Sequence, residues 1–343
     1  MAQLPRNILV IRMSAMGDVA MTVPVLSSLY QQQNVKLTML TTQAFSPMFS
    51  GMPDLQIVGI DKRGRHKGLI GLVRLFFDLK KYDFDAVADL HDVFRSKVLR
   101  LLFSFTSAKV EKINKGRTDK KQLARRGKNQ SVPLQLTVER YHDVFKRLGF
   151  TFELNFTSIF STKPVLPEIL QQSFGEKNQK WIGIAPFAKH QGKIYPLEKM
   201  EQVVHLLDKQ GEVKIFLFGN GEEEKKIMTY WKTKYTSICL MPTACRLPDE
   251  LKLMAQLDVM VSMDSANMHL ASLVGLPVVS IWGATHHYAG FLGWHQSVDD
   301  IVEVDLPCRP CSVYGNIPCR RNDYACMNNI KPEAVVEKIK RYL

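Results

Sequence analysis

Short runs of consecutive apolar residues alternate with longer stretches whose apolar positions recur every three or four residues, and this alternation occurs twice along the chain. In the first half the run Ile8-Leu9-Val10-Ile11 reads as a strand buried on both faces. A polar, glycine-containing turn follows, Arg12-Met13-Ser14-Ala15-Met16-Gly17-Asp18, and then a helical pattern over residues 19–30. Residues 35–40 and 86–90 predict two further strands. The second half repeats the grammar, with strands predicted at 181–185, 213–218, 259–263 and 278–282. Helices are predicted at 197–210, 247–257 and 267–274; in the first of these Met200, Val203, Val204 and Leu207 keep helical spacing and Gly211 acts as a stop.

Strand, loop, helix, strand is the order of a parallel sheet covered by helices. Two such series predict an α/β chain of two doubly wound, Rossmann-like domains facing a cleft. The link falls near 162–180, where Pro164 and Pro167 precede a polar run, so the expected domains are 1–165 and 166–343. At the C-terminus Val336, Ile339 and Leu343 share one helical face over 332–343, which predicts packing onto a core. Segment 109–128 breaks the pattern. Its nine Lys and Arg against two acids, with little apolar periodicity, predict a mobile, exposed basic loop.

The composition, 45% hydrophobic and 23% charged over 343 residues, is that of a globular chain with two cores. Charge changes the picture more. The net charge is +13, and residues 1–160 hold 25 Lys and Arg against 13 Asp and Glu, so nearly all the excess sits in the first half. A basic half beside a neutral one predicts an anionic partner: a nucleic acid, a phospholipid surface or a phosphorylated substrate. A surface that merely keeps the chain soluble is the competing explanation. No uncharged apolar stretch of about 18 residues occurs, and the N-terminus lacks the parts of a signal peptide, so the expected location is the cytoplasm.

Four segments carry candidate chemistry, each following a predicted strand, where open α/β sheets bind ligands. Asp264-Ser265-Ala266-Asn267-Met268-His269 opens a helix whose free N–H groups and dipole suit a diphosphate; Asp264 or Ser265 as a plain N-cap is the alternative. Lys193, in Lys193-Ile194-Tyr195-Pro196, is a point charge able to neutralise phosphate. Gly219-Asn220-Gly221-Glu222 allows close backbone approach, with a carboxylate able to bind ribose hydroxyls or simply to favour the next helix. Gly17-Asp18 places a carboxylate where it can take the proton of an attacking hydroxyl, with Gly17 leaving room for that acceptor. The triplet Asp83-Phe84-Asp85 precedes its strand, at the wrong end for a catalytic metal. Cys308-x2-Cys311-x7-Cys319-x6-Cys326 lies in a Pro/Gly/Asn-rich loop with one pair at zinc spacing; a structural zinc, reduced thiols and a disulfide all remain open.

Taken in order, Arg12-x-Ser14-Ala15-x-Gly17-Asp18-Val19, Asp89-Leu90-x4-Arg95-Ser96, Lys193-x-Tyr195-Pro196, Asp264-Ser265-x3-His269-Leu270-Ala271 and Gly275-Leu276-Pro277 resemble glycosyltransferase family 9, the ADP-heptose:lipopolysaccharide heptosyltransferases. The resemblance implies an inverting, metal-independent transferase of the GT-B type, with the acceptor on the first half and the nucleotide sugar on the second. It implies Asp18 as general base and Lys193 on the diphosphate. Asp264, Ser265, Ala266 and His269 would surround phosphates and sugar, with Gly219 and Glu222, or a neighbour of Glu222, at the ribose. Arg95 and Ser96 would serve the acceptor. The family usually has Gly at position 266 and often Trp at 195. The basic half adds Arg63, Arg65, Lys67 and Arg140 as candidates for contacts to an anionic lipid-linked sugar and to the inner membrane surface.

Three other functions are weighed against this one. A nicotinamide oxidoreductase lacks its Gly-x-Gly-x-x-Gly, since the first loop has only Gly17. A nucleic-acid binder is suggested by charge alone, without a recognition motif, so no nucleic-acid partner is expected. A non-catalytic sugar-nucleotide binder would keep Asp264 and Lys193 but not depend on Asp18.

Overall fold

The computed structural model describes residues 4–126 and 132–343. The chain divides into two units, Met1–Lys115 with Thr137–Ile159, and Gly116–Leu136 with Phe160–Leu343. A single cut after residue 165 differs from this division in 116–136 and 160–165.

The first unit holds five parallel strands, β1 (Asn7–Ile11), β2 (Lys36–Thr41), β3 (Gln56–Gly59), β4 (Ala86–Asp89) and β5 (Lys109–Lys112), in the order β3-β2-β1-β4-β5. Central β1 is flanked on both sides, with Val10 opposite Met39 and Ala88. That is why its side chains are apolar without alternation. Its helices are α1 (Met16–Ala20), α2 (Val23–Gln32), α3 (Gly68–Lys80) and α4 (Phe94–Phe103); after α5 (Arg117–Arg126), which groups with the second unit, comes α6 (Thr137–Leu148). Leu9, Ile11 and Val87 pack against Leu72, Leu75 and Leu79 of α3 and Leu99 and Phe103 of α4. Alternate strand residues turn to the other face. The helix expected over 19–30 is broken into α1 and α2, because Pro24 occupies the first turn of α2, where its missing N–H costs nothing.

The expected mobile loop at 109–128 is corrected by the structure. Its first residues form β5, paired with β4, and residues 117–126 form α5; Gly127 and Lys128 lie outside the described residues. The apolar signal was sparse but sufficient. Ile113 and Leu123 are buried, and the Lys120 ammonium sits 3.9 Å from the centre of the Phe291 ring, within the second unit.

The second unit has six parallel strands, β6 (Lys180–Ala185), β7 (Val213–Leu217), β8 (Ile238–Leu240), β9 (Val259–Met263), β10 (Val278–Trp282) and β11 (Ile301–Glu303), ordered β11-β10-β9-β6-β7-β8. Its further helices are α7 (Glu168–Phe174), α8 (Leu197–Asp208), α9 (Glu222–Lys234), α10 (Leu247–Met254), α11 (Ala266–Leu273), α12 (Ala325–Asn328) and α13 (Pro332–Lys340). Val335, Val336 and Ile339 of α13 enter the core beside Met200, Val203 and Leu207 of α8, as the C-terminal periodicity predicts.

In both units the strand order reverses beside the first strand, between β1 and β4 and between β6 and β9. A crevice opens at such a reversal, at the carboxyl ends of the strands. The segments that border it are 12–18, which runs into α1, and 90–93 in the first unit, and 186–193 and 264–265 in the second. Among the described residues no helix is long and apolar enough to cross a membrane.

Candidate active site

In the first unit the loop after β1 is built on an ion pair. Arg12, buried, sets Nη2 2.6 Å from Asp18 Oδ2 and donates from Nη1 to the Leu90 carbonyl at 2.8 Å. Asp18 stands three residues into α1, where Oδ2 also accepts the Ala15 N–H at 3.3 Å. Its side chain is 33% exposed, so the carboxylate meets solvent while a guanidinium favours its charged form. His91, on the loop after β4, joins the group: its Nδ1 accepts the Met13 N–H at 3.3 Å. Burial first, then the charges of Arg12 and Lys115, push its imidazole down to about 3, so it is neutral at physiological pH. Lys62 donates to the Met13 carbonyl at 3.0 Å, and its pKa is lowered by burial and by the nearby charge of Arg95.

The other acceptor-side candidates divide. Arg63 and Arg95 are exposed, and Gly17 neighbours Asp18 in α1. Ser96 is fully buried and caps α4, its Oγ accepting the Val93 N–H at 3.0 Å. Arg140 is buried on α6 and donates to the Asn114 carbonyl at 3.3 Å. Arg65 is tied bidentately to Asp78. Asp85 of the acidic triplet accepts the N–H groups of Arg6 and Asn7, both at 2.8 Å, which fixes the entry to β1.

In the second unit the two loops at the strand reversal meet. Lys193 Nζ lies 2.8 Å from Asp264 Oδ2, which also accepts the Thr285 hydroxyl at 2.9 Å. Ser265 takes the N-cap position of α11 with an extended backbone, and its hydroxyl lies 3.3 Å from that of Ser262. Ala266 begins the helix, and His269, one turn on, is buried. A cation and a helix N-terminus therefore share one edge, which suits an anionic group. Tyr195 is fully buried and donates to the Ile330 carbonyl at 3.0 Å, so it packs where the family often has Trp.

At the end of β7, Gly219 leaves room for Phe187, whose ring a Cβ would meet at 2.9 Å. Glu222 points to solvent and pairs with Lys225 at 3.1 Å. Glu224 is the acid turned into the loop: its Oε2 accepts the Asn220 and Gly221 N–H groups at 2.8 and 3.0 Å. A depression of about 760 Å³ lined by Lys163, Val165, Gln171, Lys177, Trp181 and Gln256 lies at the opposite ends of the strands, away from Lys193 and Asp264.

The cysteine loop has a place in this geometry. Cys311 and Ser312 N–H groups bond the Ala284 carbonyl, and Gly315, at φ +73°, lies against the Lys193 stem, where a Cβ would stand 2.6 Å from Lys193 Cγ. Cys308, Cys311, Cys319 and Cys326 are not joined by disulfide bonds in this fold. They are electrostatic neighbours: burial, then Cys308 and Cys319, raise Cys311, and Cys326 is pushed up to about 11, chiefly by burial. Four thiols are a donor set for zinc. Their sulfurs are not gathered, however, since among the described residues the group with three ligand atoms within 4.8 Å is His286, His287 and Glu303. That trio, missed in the sequence, already holds a guanidinium, with Arg309 Nη2 2.9 Å from Glu303 Oε2. Burial would raise Glu303, but the bond to His287 and the charge of Arg309 outweigh it and hold it down at about 2.

Known proteins share this architecture. The chain is 24% identical over 357 aligned positions to lipopolysaccharide heptosyltransferase 1 of Campylobacter coli, covering 97% of this chain and 98% of that one. A family 9 glycosyl transferase from Veillonella parvula superposes with TM-score 0.74 at 17% identity, covering 98% and 97% of the two chains. Escherichia coli heptosyltransferase WaaC with ADP-2-deoxy-2-fluoro heptose gives TM-score 0.64 at 18% identity, over 98% and 100%. The model of glycosyltransferase family 9 (heptosyltransferase) matches residues 72–319, well over half of the sequence, and the chain belongs to that family.

Proposed function

We propose that this glycosyltransferase moves a heptose from an ADP-heptose donor to a phosphorylated, lipid-linked sugar of the lipopolysaccharide core, with inversion. The observation that carries the donor side is the placement of Lys193 beside Asp264 and the N-terminus of α11 at the strand reversal of the second unit. The named activities of the relatives, and the ADP-sugar analogue bound to WaaC, support the choice of donor. Lys62, whose pKa is lowered by burial and then by the nearby charge of Arg95, supports an anionic acceptor on the first unit, since a phosphate beside it would favour its charged form.

The transfer is one displacement. The acceptor oxygen forms a bond to the anomeric carbon as the bond from that carbon to the diphosphate oxygen breaks, and ADP leaves with the electron pair. The acceptor proton passes to Asp18. A carboxylate paired with Arg12 is a weak base, so its proton transfer coincides with bond cleavage, when the attacking hydroxyl has become acidic. Lys193 and the free N–H groups of α11 offset the charge on the departing ADP, and no metal is assigned to this step. The Lys193–Asp264 pair keeps the ammonium in place before the donor arrives.

A structural zinc is a proposal for the cysteine loop: Cys308, Cys311, Cys319 and Cys326 would hold it as thiolates after a rearrangement, because no three of their sulfurs lie within 4.8 Å of one another. Metal analysis of untagged protein tests it: one zinc per chain, lost when the cysteines become Ser, supports the assignment, and metal-free protein after reconstitution removes it. For the transfer, nucleotide sugars are screened for protection against thermal unfolding. ADP-sugars should raise the midpoint more than UDP- or GDP-sugars; equal or greater protection by UDP- or GDP-sugars would overturn the donor assignment.

A further inference from the structure

The first unit leaves an apolar surface uncovered. On α3, Leu69, Ile70, Val73 and Phe77 lie along one stripe while Leu72, Leu75 and Leu79 on the adjoining arc fill the core. Ile70 is 72% exposed and Phe77 57%. On α4, which packs against α3, Phe94 and Leu101 are exposed at a seven-residue spacing, and Phe105, just past the helix, is 80% exposed. These are seven of the sixteen large apolar side chains most exposed among the described residues, and all fall within 69–105. Scattered exposure needs no explanation, but concentration on two adjacent helices does.

The charges around the stripe are one-sided. Asp61 is spent on the N–H groups of Gly64 and Arg65, Asp78 on Arg65, and Asp89 on Arg100. Arg63, Lys67, Arg74, Arg95 and Lys97 have no carboxylate within 4.0 Å among the described residues. A helix face with bulky apolar residues bordered by cations is built to lie in the headgroup region of an anionic bilayer. A second copy of the same face would bring like charges together, which disfavours self-association through it. The N-terminal ends of α3 and α4 also stand at the carboxyl ends of the strands, where Phe94 and Arg95 follow the His91 loop within a few residues. The face therefore borders the edge of the unit that carries Asp18.

We infer that the α3–α4 face docks this protein on an anionic lipid surface, with its apolar side chains among the headgroups and Arg74, Arg95 and Lys97 on the phosphates. The purpose of the docking rests on the reading of a lipid-linked acceptor, but the docking itself is measured without transfer. Co-sedimentation is compared for vesicles of pure phosphatidylcholine and vesicles carrying phosphatidylglycerol, at low and high salt. The wild-type chain should partition onto the anionic vesicles and be released by salt. The double substitution Ile70→Gln with Phe77→Gln should lower partitioning about tenfold or more, and Arg74→Gln with Lys97→Gln should lower it several-fold at low salt only. Both variants alter exposed residues and should keep the wild-type melting midpoint and ADP protection. Equal binding to neutral and anionic vesicles, unchanged binding of the variants, or a dimer dissociated by Ile70→Gln with Phe77→Gln would overturn the inference. Loss of ADP protection in the wild type would instead refute the donor assignment and leave this result standing.

Discussion

At the scale of single residues, the carboxylate of Asp264 is governed by the cation beside it. Asp264 is nearly buried, and its charge is answered by Lys193 and the Thr285 hydroxyl. Lys193→Gln strands that carboxylate, so chemical denaturation should show a loss of about 3 kcal/mol, and donor affinity should fall. The double variant with Asp264→Asn should recover much of the stability but not the affinity. His91 behaves oppositely, as a base kept neutral. Its folded pKa, about 3, lies below the unfolded value of roughly 6.5. Protonation therefore favours the unfolded chain. The stability tied to a neutral His91 is complete above pH 6.5 and is lost as pH falls toward 3, at most about 1.4 kcal/mol per unit. Denaturation midpoints at pH 7 and pH 5 should differ less in His91→Asn than in the wild type; an equal difference would remove His91 from the account. Sequence reading found Asp18, Lys193 and Asp264 because each follows a strand. It passed over His91, which follows β4 in the same way, because a lone histidine carries no pattern until its neighbours are known.

At the scale of elements, legibility followed burial. β9 and β10 are fully buried and were readable to the residue, because each is an apolar run interrupted by one small serine, Ser262 or Ser280. The edge strands β3, β5, β8 and β11 have three or four residues each, too few to show a period. α5 was hidden by its own charge, since so few of its positions are buried. In α9 the resemblance pointed to Glu222 or a neighbour, and among these Glu224 is the acid that caps the helix, three residues in. Glu224→Ala should cost about 1 kcal/mol of stability. The cysteine loop was visible as a cluster, yet its contact with Lys193 depends on a fold that spacing alone cannot supply. Gly315→Ala tests that contact: the left-handed backbone and the crowding of Lys193 Cγ should weaken ADP binding measurably by calorimetry, although residue 315 carries no side chain to bind it. Unaltered affinity would mean that the loop does not position Lys193.

At the scale of the whole molecule, the two units repeat one strand order. The first carries the carboxylate of Asp18 and the second carries the lysine and the helix end that suit a diphosphate, while the excess positive charge is shared almost evenly once the basic segment 116–136 is counted with the second. The repeated grammar of apolar runs made this two-part fold readable, whereas the grouping of 116–136 with the second unit depends on contacts such as that of Lys120 with Phe291. The central claim is that these parts form a transferase in which Asp18 removes the acceptor proton. Asp18→Asn keeps the size of the side chain and removes its basicity, and two quantities are measured on it side by side: turnover with ADP-heptose and acceptor, and affinity for ADP. Turnover should drop by about two to four orders of magnitude while ADP affinity stays within about twofold of wild type. Turnover close to that of the wild type would contradict the account, and the proton would have to leave by another group.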